Sequence, residues 1–189
     1  MSAACGHKSL ILTAARAYGL AIPKTRVTNE RETLSTAMAE GPAIVKPVAG
    51  GAYTLDATAA DAQTDWHDGR APVPAFVQEK LRYPELRVFF VGSAPHVFEI
   101  VSDDLDYRAG RNHSIVYRGA SALDGLLAKK LAALAADLGL DFCAFDLKTA
   151  DDGDLRFMEV NSGPMFAAFD EVARGALCAA MIDWLMARK

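Results

Sequence analysis

Residues 141–164 read DFCAFDLKTADDGDLRFMEVNSGP, and the fold turns on how they pair. Two apolar runs flank the pair Asp152-Gly153. Asp-Gly is a strong short-range hairpin signal, because a type I′ turn needs positive φ at both central positions. With those two residues as the loop, strand pairing sets Asp146 directly opposite Glu159. Asn161 lies two residues further along the second strand and shares the face of Glu159. Two carboxylates and an amide oxygen then converge.

Facing carboxylates repel one another unless a cation or a proton lies between them. An all-oxygen set of two acids and an asparagine suits a hard cation, Mg²⁺ above all, which keeps its remaining positions for water and phosphate oxygens. The competing reading is a solvated hairpin whose acids face water. Phe142, Phe145, Leu147, Phe157, Met158 and Val160 make these strands too apolar for a free surface ribbon.

Outward from the hairpin, the pattern is α+β. Before it, residues 123–138 carry Leu126, Leu127, Leu131, Leu134 and Leu138 at helical spacing, ended by Gly139. After it, residues 170–186 predict a last helix with Val172, Leu177, Met181 and Leu185 inward. Residues 8–18 predict a first helix stopped by Gly19, followed by a short extended piece at 24–27. Thr28 is placed to cap a helix reaching about residue 39. Residues 43–48 form a β-type run carrying Lys46, with Gly50-Gly51 close behind it. Such a loop offers unhindered N–H groups to phosphates beside an ammonium; the competing reading is a surface lysine before an ordinary turn. Residues 57–66 predict a short helix, 68–74 a loop, and 75–81, 85–92 and 95–102 three strands of a meander. Residues 102–113 form a polar stretch holding Arg108, Arg111 and Asn112.

Composition bounds the function classes. The chain has 189 residues, 51% of them hydrophobic, with a net charge of −4. That balance supplies no general attraction to nucleic acid or acidic membranes, so anion binding has to come from a local cluster. No apolar run is long enough for a membrane span. Cys5, Cys143 and Cys178 lack metal-ligand spacing. An odd count without a secretion signal reads as reduced and cytoplasmic. Cys143, Trp66 and Trp184 read as packing residues, and His67 and His96 as surface or turn residues. Lys148 shares the face of Asp146 and reads equally as a phosphate contact or a salt-bridge partner.

The Lys–Gly loop, the strand Gln78-Glu79-Lys80-Leu81, the strand Glu85-Leu86-Arg87-Val88 and the hairpin with Asp146, Glu159 and Asn161, in this order, resemble the ATP-grasp superfamily. The resemblance is nearest to the RimK-like ligases, with D-alanine–D-alanine ligase, glutathione synthetase and the graspetide maturases as relatives. It implies an ATP-grasp fold with nucleotide held between two lobes, the larger an antiparallel sheet with flanking helices. On that likeness the chain is one module, with a small lobe over about 20–78, a large lobe over about 79–189 and the helix of 1–19 packing near the latter. The N-terminal substrate domain of RimK-like members has no counterpart in it.

The resemblance further implies the site. Lys46 matches a phosphate-binding lysine, and Lys8 the place of a second. Gly50 and Gly51 match a loop over the triphosphate, Gln78, Glu79, Lys80 and Leu81 a strand that holds adenine, and Glu85 a ribose-binding acid followed by Arg87. Asp146, Glu159 and Asn161 match Mg²⁺ ligands, a site that also suits Mn²⁺. Arg108 and Arg111 match arginines that steady phosphate or substrate, with Asn112 beside them. The implied activity is an ATP- and Mg-dependent ligase that activates a carboxylate as an acyl phosphate and joins it to an amine, releasing ADP. Its substrates are small-molecule or peptide carboxylates and amines, with neither nucleic acid nor membrane as a partner. The alternatives are a nucleotide-binding module that needs a partner chain or a further domain, and a peptide- or protein-modifying maturase. A homo-oligomer is a further expectation.

Overall fold

The computed structural model describes residues 7–48, 54–102, 104–105 and 112–188. The chain divides into two compact units. One holds the described residues of Met1–Ile22, Arg82–Val101 and His113–Lys189, the other those of Pro23–Leu81 and Ser102–Asn112.

In the second of these, β1 (Thr25–Glu30), β2 (Ala43–Pro47), β3 (Leu55–Asp56) and β4 (Arg70–Glu79) form an antiparallel sheet in the order β1-β4-β2-β3. Helices α2 (Arg31–Glu40) and α3 (Ala57–Gln63) contribute Leu34, Ala37 and Ala57 to a small core with Ala43 and Val77. Two expectations change here. Thr28 does not cap a helix: it pairs with Ala75 inside β1, and its hydroxyl accepts from the Glu30 N–H. Residues 70–74, expected as loop, begin β4. They hold Pro72 and Pro74, which cannot donate to a ladder, and the β1–β4 register breaks between Thr28 and Glu30 opposite them.

The other unit is built on the sheet β7-β6-β5-β8-β9. Its strands are β5 (Arg82–Val91), β6 (Ala94–Ser102), β7 (His113–Tyr117), β8 (Phe142–Thr149) and β9 (Leu155–Asn161). The expected meander is therefore corrected: β4 belongs to the other sheet, and β5 lies between β6 and β8. Local alternation shows that a segment is a strand but not which strand it joins. One face of this sheet packs on α1 (Lys8–Ala17) and α4 (Gly125–Asp137). Val88, Phe90, Cys143, Phe145, Leu147, Phe157 and Val160 meet Ile11, Leu12, Ala15, Leu131, Leu134 and Leu138 there. The α4 stripe lies where its spacing puts it, and Asp124 caps the helix by accepting from the N–H groups of Leu126 and Leu127.

The last helix is two. α5 (Ala167–Val172) ends before Arg174 and Gly175, both at positive φ, and α6 (Ala176–Ala187) starts anew. The break turns Val172 and Leu185 outward, against expectation, while Leu177 is fully buried. No helix among the described residues is long and apolar enough to cross a membrane.

Candidate active site

The hairpin β8–β9 delivers the expected pair by an unexpected route. Asp146 lies opposite Glu159, Phe145 opposite Val160 and Ala144 opposite Asn161. Nearer the turn, however, Leu147 faces Phe157 and Thr149 faces Leu155, so Met158 is an extra residue, a β-bulge. The turn is also one residue longer than a two-residue loop. The Gly153 N–H donates to Ala150 O at 3.0 Å, the Ala150 N–H donates to Asp154 O at 2.9 Å, and of the two central residues only Gly153 has positive φ, at 88°. A longer loop and a bulge shift register by one residue each, in opposite senses. They cancel at Asp146.

The face that carries Asp146 also carries Lys148 on β8, Glu85 and Arg87 on β5, and Glu159 and Asn161 on β9. Arg87 is 7% exposed and Asp146 5%. The Arg87 Nη1 donates to both carboxylate oxygens of Asp146, at 3.0 and 3.1 Å. Asn161 Nδ2 donates to Asp146 Oδ2 at 3.3 Å. The rings of Phe89 and Phe169 each lie 5.4 Å from the Arg87 guanidinium carbon. Beside this group, Lys148 Nζ stands 3.5 Å from Glu85 Oε2 and 3.8 Å from the centre of the Tyr83 ring. A buried pair of this kind holds geometry more than it adds stability. In the sequence Lys148 reads as a phosphate contact or a surface salt bridge; in the structure it pairs with Glu85, and the pair is buried. Phe169 and Tyr83 gave no sequence signal, because an aromatic residue reads as core unless its cationic neighbour is known.

The donor set fits a hard divalent cation. Two facing carboxylates and one amide are all-oxygen ligands, and a turn of the Asn161 amide brings its oxygen to the same place. Among the described residues no group of three or more His, Cys, Asp or Glu could hold a metal; the set here is two acids and one amide.

The remaining candidates lie on separate elements. Lys8 opens α1 and is exposed. Lys46 is on β2 opposite Phe76, half-buried. Gln78 is buried on β4 and its Nε2 donates to the Thr25 hydroxyl at 2.8 Å. The Glu79 N–H donates to Lys24 O and the Lys80 N–H to Pro42 O, so the strand's backbone is engaged on both edges at its end. Lys80 Nζ meets Asp56 at 3.1 Å, and that ammonium, with the Thr58 N–H, holds the Asp56 carboxyl below the usual carboxylate range. Leu81 is buried. Asn112 is exposed, and its carbonyl accepts from the Ser102 hydroxyl. Gly50, Gly51, Arg108 and Arg111 lie outside the described residues. His96 is on β6 beside Tyr117, Nδ1 to hydroxyl 3.0 Å, and burial lowers its pKa. It is a packed residue more than a surface one.

No family model matches the chain, and no curated protein does. Solved structures do. The ATP-grasp ligase PsnB, complexed with a phosphomimetic variant of its minimal precursor, Mg and ADP, is 30% identical with a TM-score of 0.78 over 95% of this chain and 58% of its own. The macrocyclase MdnC from Microcystis aeruginosa MRC, bound with precursor peptide MdnA, is 21% identical, with a TM-score of 0.73 over 98% of this chain and 61% of its own. The VanG D-Ala:D-Ser ligase from Enterococcus faecalis is 20% identical, with a TM-score of 0.65 over 98% of this chain and 62% of its own. The latter two likenesses are of fold. The chain spans about three fifths of the length of the structures it matches.

Proposed function

We propose that this chain, which shares its fold with the ATP-grasp ligases it matches, is an ATP-dependent ligase. On this reading it activates a carboxylate as an acyl phosphate and passes the acyl group to an amine. The observation that carries the reading is the facing pair Asp146 and Glu159 with Asn161 alongside, set on this fold. A carboxylate oxygen attacks the γ-phosphorus and ADP leaves; the amine then attacks the acyl carbon and phosphate leaves. Both steps concentrate negative charge, and no protein nucleophile is needed. Mg²⁺ supplies charge neutralisation and orientation for the phosphates. Asp146, Glu159 and Asn161 hold that cation, Lys46 meets phosphate charge, and Arg108 and Arg111 steady the acyl phosphate.

A peptide is the substrate class we favour, since PsnB was solved with its minimal precursor and shares 30% identity with this chain. The RimK-like and D-alanine–D-alanine ligases share the chemistry and differ in acceptor.

The test is calorimetric titration of the folded chain with a non-hydrolysable ATP analogue, with and without Mg²⁺. Saturable, Mg-enhanced binding is expected, and Lys46→Ala weakens it at least about ten-fold, as loss of a charge-assisted phosphate contact does. Lys129→Ala, an exposed lysine on α4, leaves it unchanged. No binding to a folded chain would refute the proposal, and equal effects of the two lysine variants would remove Lys46 from the site.

A further inference from the structure

We infer that Arg87 is a positioning residue that serves as the resident counter-cation of Asp146, so that a divalent metal and the Arg87 guanidinium compete for one carboxylate. The inference deepens the metal assignment proposed above and rests on it.

Three observations lead there. Both oxygens of Asp146 are already contacted by the same nitrogen of Arg87, with both residues more than nine-tenths buried. A cation that enters between Asp146 and Glu159 therefore meets a positive charge fixed within hydrogen-bond distance of its own ligand. Like charges at that range, out of bulk water, repel strongly. Second, Arg87 cannot easily swing into solvent, because Phe89 and Phe169 hold its guanidinium from two elements, β5 and α5. Third, the guanidinium is not saturated. Its Nε is buried with no hydrogen-bond acceptor among the described residues. A buried donor without a partner is costly to leave so, and it leaves the guanidinium with hydrogen-bonding capacity that Asp146 does not fill.

The consequence is coupling. Metal alone binds weakly, because it has to displace or tolerate Arg87. Metal that arrives with a polyanion binds tightly, because the anion offers Arg87 another partner as Asp146 turns to the metal. Phe169 takes part at one remove, by fixing where Arg87 can go.

The probe is Mn²⁺ alone, followed by loss of the free-ion electron paramagnetic resonance signal, on the whole chain without nucleotide. Arg87→Gln is expected to bind Mn²⁺ about ten-fold more tightly than the wild type, the order expected when one nearby unit charge is removed. Mn²⁺ is also expected to raise the melting temperature of Arg87→Gln more than that of the wild type, since the metal replaces the lost counter-charge. Phe169→Leu keeps the charge and loosens its seat, and is expected to fall between the two. Adding Glu159→Gln to Arg87→Gln should remove the gain. Unchanged or weaker Mn²⁺ binding by Arg87→Gln overturns the inference. If that variant folds only with Mn²⁺ the inference is supported; if it does not fold at all, Phe169→Leu with wild-type Mn²⁺ affinity overturns it. A gain that survives Glu159→Gln places the metal elsewhere and overturns the inference with the metal assignment, whereas the ATP-analogue titration reports on the nucleotide reading separately.

Discussion

Gly92 joins β5 to β6 at φ 59°, and a Cβ built there would lie 2.6 Å from Trp184 Nε1 and 2.7 Å from its Cδ1. The indole is rigid and is itself covered by the Arg188 guanidinium, 4.1 Å from the ring centre. Gly92→Ala therefore meets two costs, the left-handed backbone and the displaced tryptophan. The loss should exceed the roughly 1–2 kcal/mol of the backbone term alone. Gly153→Ala, at φ 88° with nothing within 4 Å of the added carbon, meets only the first. Urea midpoints of the two variants check this, and equal shifts would mean that Trp184 gives way freely. Single residues were unevenly legible in the sequence. The pairing of Asp146 with Glu159 was expected from a two-residue loop, and it holds because the longer loop and the bulge at Met158 cancel. The buried partners Glu85–Lys148 and Arg87–Asp146 were not legible, since each joins β5 to β8 across a long stretch of chain.

At the scale of elements, Asp170 shows how a helix start is made without an ordinary cap residue. Its Oδ1 accepts from the N–H groups of Leu177 at 2.9 Å and Cys178 at 3.2 Å, across the break between α5 and α6. The Cys178 side chain and these N–H groups hold the Asp170 carboxyl below the usual carboxylate range, and the same contact pushes the Cys178 thiol up. A depressed carboxyl stabilises the fold above the unfolded-state value, and that stabilisation is lost as pH falls through the folded-state value. Asp170→Asn keeps an acceptor oxygen but loses the charge at the start of α6, and is expected to cost about 0.3–1 kcal/mol near neutrality. The gap from wild type should close as the medium is acidified below the ordinary aspartate range. Denaturation series at several pH values measure it; a gap that widens in acid would show that Asp170 acts otherwise. The helix 170–186 was expected as one piece because its apolar spacing runs on through Gly175. What stops it is backbone conformation at Arg174 and Gly175, which spacing does not report.

For the whole molecule, the sequence carried the α+β class and most strands but not their distribution. Residues 75–81 and 85–92 read as neighbouring strands of a meander, yet β4 and β5 lie in different sheets. β7 was missed because it follows a polar stretch and is short and largely exposed. Ligand binding at the proposed nucleotide site registers on global stability. The ATP analogue with Mg²⁺ at about a hundred times its dissociation constant should add about 2.7 kcal/mol. A scanning calorimetry endotherm that does not move under those conditions would contradict the binding measured at lower temperature.

The tip of the β8–β9 hairpin and the carboxylates behind it are insulated from each other. The loop over 151–153 mis-sets the ladder by one step and Met158 resets it, so the strand beyond the bulge takes its alignment from β8 and not from the tip. Parity is what matters at such a junction. The tip is thus the natural place to splice in an epitope or a reporter dye, since an insert there is separated from Asp146 and Glu159 by an adjustable joint. Losing one residue beyond Met158 has no such allowance. Loss of Val160, for example, sets Asn161 opposite Phe145, on the side of the sheet packed on α1 and α4, and takes its amide away from Asp146.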